Sequence, residues 1–221
     1  MPEILGSMPK RIRSRARCYA MALLLLVSPF PSAFATTVIP PSFAQLVAES
    51  DYVVHGKVTA VTSAWEQRGN SRVIVTKVNL DVIEVISGEP PRPLVLTTLG
   101  GKIGSRAMVI EGAPQFEVGD EDILFIQGNG RNISPIARIM YGRYRIESEG
   151  EGEERVVVRE NGEPLRSTSE ISAPMHEGEH DHHDHDDSTG EAAALPPSPP
   201  LSPTEFINRI RSVAASTSAE K

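Results

Sequence analysis

The densest chemistry in the chain lies late. His176, His180, His182, His183 and His185 fall close together, interleaved with Glu177, Glu179, Asp181, Asp184, Asp186 and Asp187. Neutral imidazole suits zinc, copper or nickel, and neighbouring carboxylates lower the charge cost of gathering a dication. The tract therefore reads as a flexible chelator of loosely bound Zn, Cu or Ni, with His176, His180, His182, His183, His185, Asp181, Asp184 and Asp186 as ligands. Its affinity is expected to collapse below about pH 6, as the imidazoles protonate. A plain solvated acidic linker has the same composition, and any His-rich tract binds metals to some degree. His176-Glu177-Gly178-Glu179-His180 also spells the H-E-x-x-H pattern of zinc proteases. That chemistry needs both histidines on one helix face. Pro174 ahead of the pattern and Gly178 inside it oppose a helix, so the match is one of spelling only.

Elsewhere the chemistry thins out. Cys18 is the one cysteine, and His55 is the one histidine outside the tract. No G-x-S-x-G elbow occurs, and a lone histidine completes no Ser/His/Asp set. His55 alternates with Val54 and Gly56 and reads as an exposed strand residue. Gly100-Gly101-Lys102-Ile103-Gly104-Ser105 fits neither the P-loop nor the dinucleotide spacing, and reads as a β-turn connection. Arg138, Arg143 and Arg145 make at most a small basic patch in a chain of formal net charge −7. Aromatics form 5% of the chain and show no stacking array, so no nucleic-acid partner is expected. These absences point to a protein that is not an enzyme and requires no cofactor.

What must position any site begins with an address. Lys10, Arg11, Arg13, Arg15 and Arg17 precede an apolar run from Ala20 to Val27, then Pro29, Pro31 and the small-x-small Ala33-Phe34-Ala35. This is the order of a secretory signal peptide over residues 1–35, cleaved before Thr36. The run is too short for a spanning helix, which needs about 20 apolar residues. The expectation is export by the general secretory route to a bacterial periplasm or exterior, with no membrane span after cleavage. Cleavage also removes Cys18, which leaves a thiolate site or a disulfide out of reach.

From Asp51 to about Arg159 the chain reads as strands: Tyr52–Val61, Val73–Ile86, Leu94–Thr98, Ala107–Glu111, Asp122–Gln127, Ile133–Met140, Tyr144–Ser148 and Arg155–Arg159. In-out alternation marks Val78, Leu80 and Val82 as one face. The doublets Val82-Ile83 and Val85-Ile86 break the period, as bulges in a curving strand do. Short strands parted by Gly-rich turns predict a small barrel or sandwich. Ser42 caps a short helix whose Phe43, Leu46 and Val47 would plug one end. Residues 173–201 carry no Lys or Arg and end in a Pro-rich run, a composition that predicts a disordered His/Asp/Pro-rich linker. Ser202, Pro203 and Glu205 then open a helix over 202–216, with Phe206, Ile207, Ile210, Val213 and Ala214 as the apolar face that docks back on the β body.

Asp51-Tyr52-Val53-Val54-His55-Gly56-Lys57-Val58 reads D-x-V-V-x-G-x-V, and Val82-Ile83-Glu84-Val85-Ile86-Ser87-Gly88 reads V-x-x-V-x-x-G. With Gly112–Phe125, these strands resemble a group of uncharacterised exported bacterial β-barrel proteins, from Thr37 to Tyr144. More remotely they resemble the netrin-like domain of tissue inhibitors of metalloproteases, an oligonucleotide-binding (OB)-type barrel. That resemblance implies a mainly β chain with a small OB-like, netrin-like barrel over 36–172. It also implies a role for the mature start: Thr36 and Thr37, followed by Pro40 and Pro41, would meet a partner protease. In that family the terminal amine and carbonyl chelate the protease's zinc, and an amine with a pKa of about 7.7–8.0 is partly neutral at pH 7. The family pins its terminus with disulfides. Here Pro40 and Pro41 alone limit an ordering cost of about 1–2 kcal/mol per residue. The leading expectation is a non-catalytic binding module for a protein partner, an exported metalloprotease being the first class to test. The alternative is capture or buffering of divalent metal ions by the His/Asp tract.

Overall fold

The structure, a computed structural model, describes residues 39–149, 154–174 and 198–219. The signal segment, Thr36, Thr37 and the whole His/Asp tract lie outside the described residues. The chain is mainly β. Helix α1 (Phe43–Glu49) leads into β1 (Tyr52–Arg68) and β2 (Ser71–Gly88), then β3 (Leu94–Leu99), β4 (Gly101–Ile103), β5 (Arg106–Met108), β6 (Glu121–Ile126), β7 (Arg143–Glu149) and β8 (Glu154–Arg159), and α2 (Pro203–Ala219) follows. Six strands form one antiparallel sheet in the order β3-β2-β1-β6-β7-β8, and β4 and β5 form a small hairpin of their own.

The long β1–β2 hairpin organises the rest. Its register pairs Val54 with Val85 and Val53 with Ser87, passing over Ile86, then His55 with Glu84 and Gly56 with Val82, passing over Ile83. The extra residues fall where the apolar doublets break the alternation, and each one turns the strand. A third shift passes over Thr59. Gly88, at φ +75°, ends the hairpin where a Cβ would come within 2.4 Å of the Asp51 carbonyl oxygen, so no other residue fits there without a shift.

Both faces of the sheet are covered. One buries Val53, Ile123, Phe125, Tyr144 and Val157 beneath the two helices. Phe206 of α2 is wholly buried there, with its ring centroid 4.8 Å from Tyr144 and 5.9 Å from Phe43. Burying such a side chain contributes about 1.5–3 kcal/mol, which accounts for α2 docking through Phe206, Ile207 and Ile210. Ser202 and Glu205 close its capping box, with Glu205 N–H donating to Ser202 Oγ at 3.3 Å. α1 is capped the same way by Ser42 and Gln45. The opposite face buries Val54, Val58, Val78, Leu80, Leu96, Leu124 and Ile126.

The outer strands are closed off. On β3, Asn129 accepts from Thr97 N–H at 3.0 Å and donates to the Val95 carbonyl at 2.8 Å, while Leu99 N–H donates to Ile133. On β8, Val157 N–H donates to Leu201, and Leu165 N–H donates back to Val157.

Ile133–Met140, expected as a strand, is not one. It makes a single bridge, Ile136 to Ile126, then turns into a 3-10 helix at Ile139–Gly142. Arg138 and Ile139 hold φ of +53° and +57°, a left-handed backbone that ends any extended run. A fork of two hydrogen bonds from Arg138 to the Glu49 carboxylate, at 2.8 and 2.6 Å, holds that turn against α1. No described helix is long and apolar enough to cross a membrane.

Candidate functional site

A groove of about 900 Å³ opens among the described residues. Val61 and Ser63 of β1 and Thr76 of β2 lie on one side of it. The bend Leu99–Lys102, the β5 strand and the segment 109–116 make the rest. The bend depends on Gly101, at φ +129°. A Cβ there would sit 2.2 Å from Thr76 Oγ1 and 2.5 Å from Ser63 Oγ, so β4 crosses this close to the hairpin only as glycine. Thr76 Oγ1 donates to the Gly100 carbonyl at 2.8 Å, which commits its one proton. Ser63 Oγ, 2.9 Å away, must then donate to Thr76. This leaves the Ser63 oxygen free to accept from a ligand.

The wall 113–120 is held by a buried ionic cluster. Arg143 is 2% exposed and Asp122 is fully buried. Arg143 Nε–H donates to Asp122 Oδ1 at 2.9 Å, Nη2–H to Asp120 Oδ2 at 2.7 Å, and Nη1–H to the Gln115 carbonyl. Glu160 Oε1 lies 3.7 Å from Nη1, and the guanidinium sits 4.4 Å over the Phe116 ring. Gln115 and Phe116 line the groove, so this arginine ties the groove wall to the sheet. Burial pushes the Asp122 carboxyl up to about 6 against the pull of Arg143. Burial likewise raises Glu160. Burial pulls Arg143 down, yet Asp122, Glu160 and Asp120 together hold it above its ordinary value. Asp120 and Asp122 are hydrogen-bonded to the arginine, whereas Glu160 only approaches it and keeps Oε2 buried without a hydrogen-bond partner; the two aspartates and the Gln115 carbonyl make the cluster a clamp.

The arginine patch expected from the sequence is therefore corrected: Arg143 is interior, and Arg138 is forked to Glu49. His55 is corrected too. It is 8% exposed, because β1 lies between β2 and β6 with both faces covered. Its Nε2 hydrogen-bonds Glu121 Oε1 at 2.7 Å, and Arg155 donates to the same carboxylate. Burial raises Glu121, but His55 and Arg155 outweigh it and hold the carboxyl below its ordinary value. Gly100–Ser105 is the bend and first strand of the β4–β5 hairpin, a groove element where the sequence suggested only a turn.

Of the expected partner-binding residues, Pro40 is half-buried and Pro41 is buried, with the Pro41 carbonyl accepting from Ser172 Oγ at 3.3 Å. Ile39 beside them is 74% exposed. Thr36, Thr37 and all eight expected metal ligands, His176, His180, His182, His183, His185, Asp181, Asp184 and Asp186, lie outside the described residues. Among the described residues, no group of three or more His, Cys, Asp or Glu is placed to hold a metal ion. The groove residues were missed in the sequence because they are ordinary alternating strand residues. The glycine pair at 100–101 was the one available signal.

No protein-family model matches the chain, and no curated protein matches it.

Proposed function

We propose that this chain is an exported, non-catalytic binding module for a protein partner. The groove of about 900 Å³ carries the reading: apolar side chains, hydroxyls and backbone line most of it, with Lys102, Glu111 and Gln115 among them, and the buried Arg143 cluster beside it holds its wall. Such a surface suits recognition, with few polar groups placed to fix orientation. A partly open OB-like or netrin-like barrel is proposed as the frame. In its support, β1 curls through three register shifts and is shared between β2 on one edge and β6 on the other.

An exported zinc metalloprotease is the partner class to test first. The resemblance to the netrin-like inhibitors supports it, as does the anchored Pro41 two residues after exposed Ile39. The mature chain beginning at Thr36 should inhibit such a protease, and one alanine placed ahead of Thr36 should weaken inhibition by about tenfold or more, because the terminal amine is displaced from the metal. Equal inhibition by both forms contradicts chelation by the terminus. Full protease activity in the presence of either form contradicts the protease as partner. The composition of the His/Asp tract supports the alternative of metal capture.

A further inference from the structure

We infer that the outer edge of β1 from Ala60 to Arg68 receives an extended acidic segment of the partner, added to the sheet as a further strand beside the groove. The inference rests on the binding-module reading and names the chemistry of its ligand.

Three observations carry it. β1 pairs with β6 only as far as Lys57, and the last backbone bonds on that side join Val58 to Gly119 and Asp120. Beyond them, among the described residues, the backbone of β1 bonds only to β2. An open edge of this length is a template for another chain, and this protein covers the outer edges of β3 and β8. The outer side of β2 over Asp81–Gly88 also lacks a strand, but α2 stands beside it, with Arg211 paired to Glu84.

The open edge also adjoins the groove. Val61 and Ser63 belong to this stretch of β1 and line the groove, while the alternate residues Thr62 and Ala64 are exposed on the other face. Successive side chains of a strand alternate in direction. A strand added here turns every second side chain to the groove side, which is how strand addition acquires selectivity.

The charge is the third observation. In a chain of net charge −7, this end carries Arg68, Arg72, Lys102 and Arg106 against Glu66 and Glu111, with Arg68 paired to Glu66, and so has an excess of cations. The guanidinium groups of Arg72 and Arg106 lie 4.9 and 5.9 Å from the Trp65 ring centre, and Lys102 borders the groove. None of the three has a carboxylate partner among the described residues, and all are exposed. Unpaired cations gathered around Trp65 and the groove, beside an open strand edge, favour an acidic strand and repel a basic one.

Trp65 is the only tryptophan, so its fluorescence reports directly on this edge. The probes are seven-residue peptides alternating valine with aspartate, or valine with lysine, titrated into the mature chain. The aspartate peptide should bind about tenfold tighter than the lysine peptide, and the gap should narrow in Arg72→Gln/Arg106→Gln and at high salt. Methylating the peptide nitrogens of one alternate set should weaken binding about tenfold, and methylating the other set less than twofold, because only one set faces the protein strand. Equal affinity of the two peptides, indifference to which set is methylated, or no binding of the aspartate peptide each overturns the inference. Binding without the methylation pattern leaves a groove that takes side chains alone, so the module reading survives while strand addition falls.

Discussion

Replacing Arg143 by methionine tests how the groove wall is held. Methionine keeps an unbranched stem over Phe116 and removes the cation. Asp122, fully buried, then loses bonds of 2.9 and 3.3 Å, and Asp120 and the Gln115 carbonyl lose theirs. Removing one partner of a buried pair costs about 3–5 kcal/mol, because the remaining charge is uncompensated. The loss should depend on pH. Asp122 already titrates near 6 with the arginine beside it, and without the arginine its folded value must rise further. Between the two values the variant holds a proton that the parent has released. Its deficit should therefore grow by up to about 1.4 kcal/mol per pH unit across that window. Urea unfolding of the mature chain at pH 5 and 7.5, followed by Trp65 fluorescence and far-ultraviolet dichroism, measures both effects. Arg143→Met combined with Asp122→Leu should recover part of the loss, since the fully buried charge at Asp122 is gone while Asp120 and the largely buried Glu160 still lack the arginine. A deficit under about 1 kcal/mol at pH 7.5, or equal deficits at both pH values, refutes the clamp.

Four further outcomes are expected. In the parent protein, carboxyl NMR should show Asp122 titrating near 6; because its folded value lies above the ordinary 3.8, this group's contribution to stability falls as pH rises from 3.8 to about 6. Glu121 has the opposite sign: its contribution is present above the ordinary carboxylate range and is lost as pH falls through its lowered folded value. Phe206→Ala should cost about 3–5 kcal/mol in the same urea assay, since it empties the centre of the aromatic cluster. Deleting residues 175–188 should abolish zinc binding measured by calorimetry at pH 7.5, whereas unaltered affinity reduces the tract to a spacer.

The elements with local signals were legible. Ser42 and Ser202 announce their helices, the face of α2 follows its period, and the doublets at Val82-Ile83 and Val85-Ile86 mark two of the register shifts. What failed depended on neighbours distant in sequence. His55 alternates like a surface residue, yet its neighbours on both sides are strands and its ring meets Glu121. Arg143 looked like a surface charge because its partners lie across two strands and a loop. Ile133–Met140 has strand-like residues, but Arg138 is held by Glu49 in a left-handed turn that β propensity does not foresee. The sequence suggested an end to the first strand near Val61. The hairpin carries it on to Arg68, because Gly69 and Asn70 turn the chain only there.

Amide hydrogen exchange of the free mature chain from Ala60 to Arg68 tests most directly whether the outer edge of β1 is open to a partner strand. Alternating protection is expected, with slow exchange where N–H groups face β2 and fast exchange where they face outward. Uniform slow exchange along the stretch would mean that the edge is already paired, and the strand-addition site would not exist.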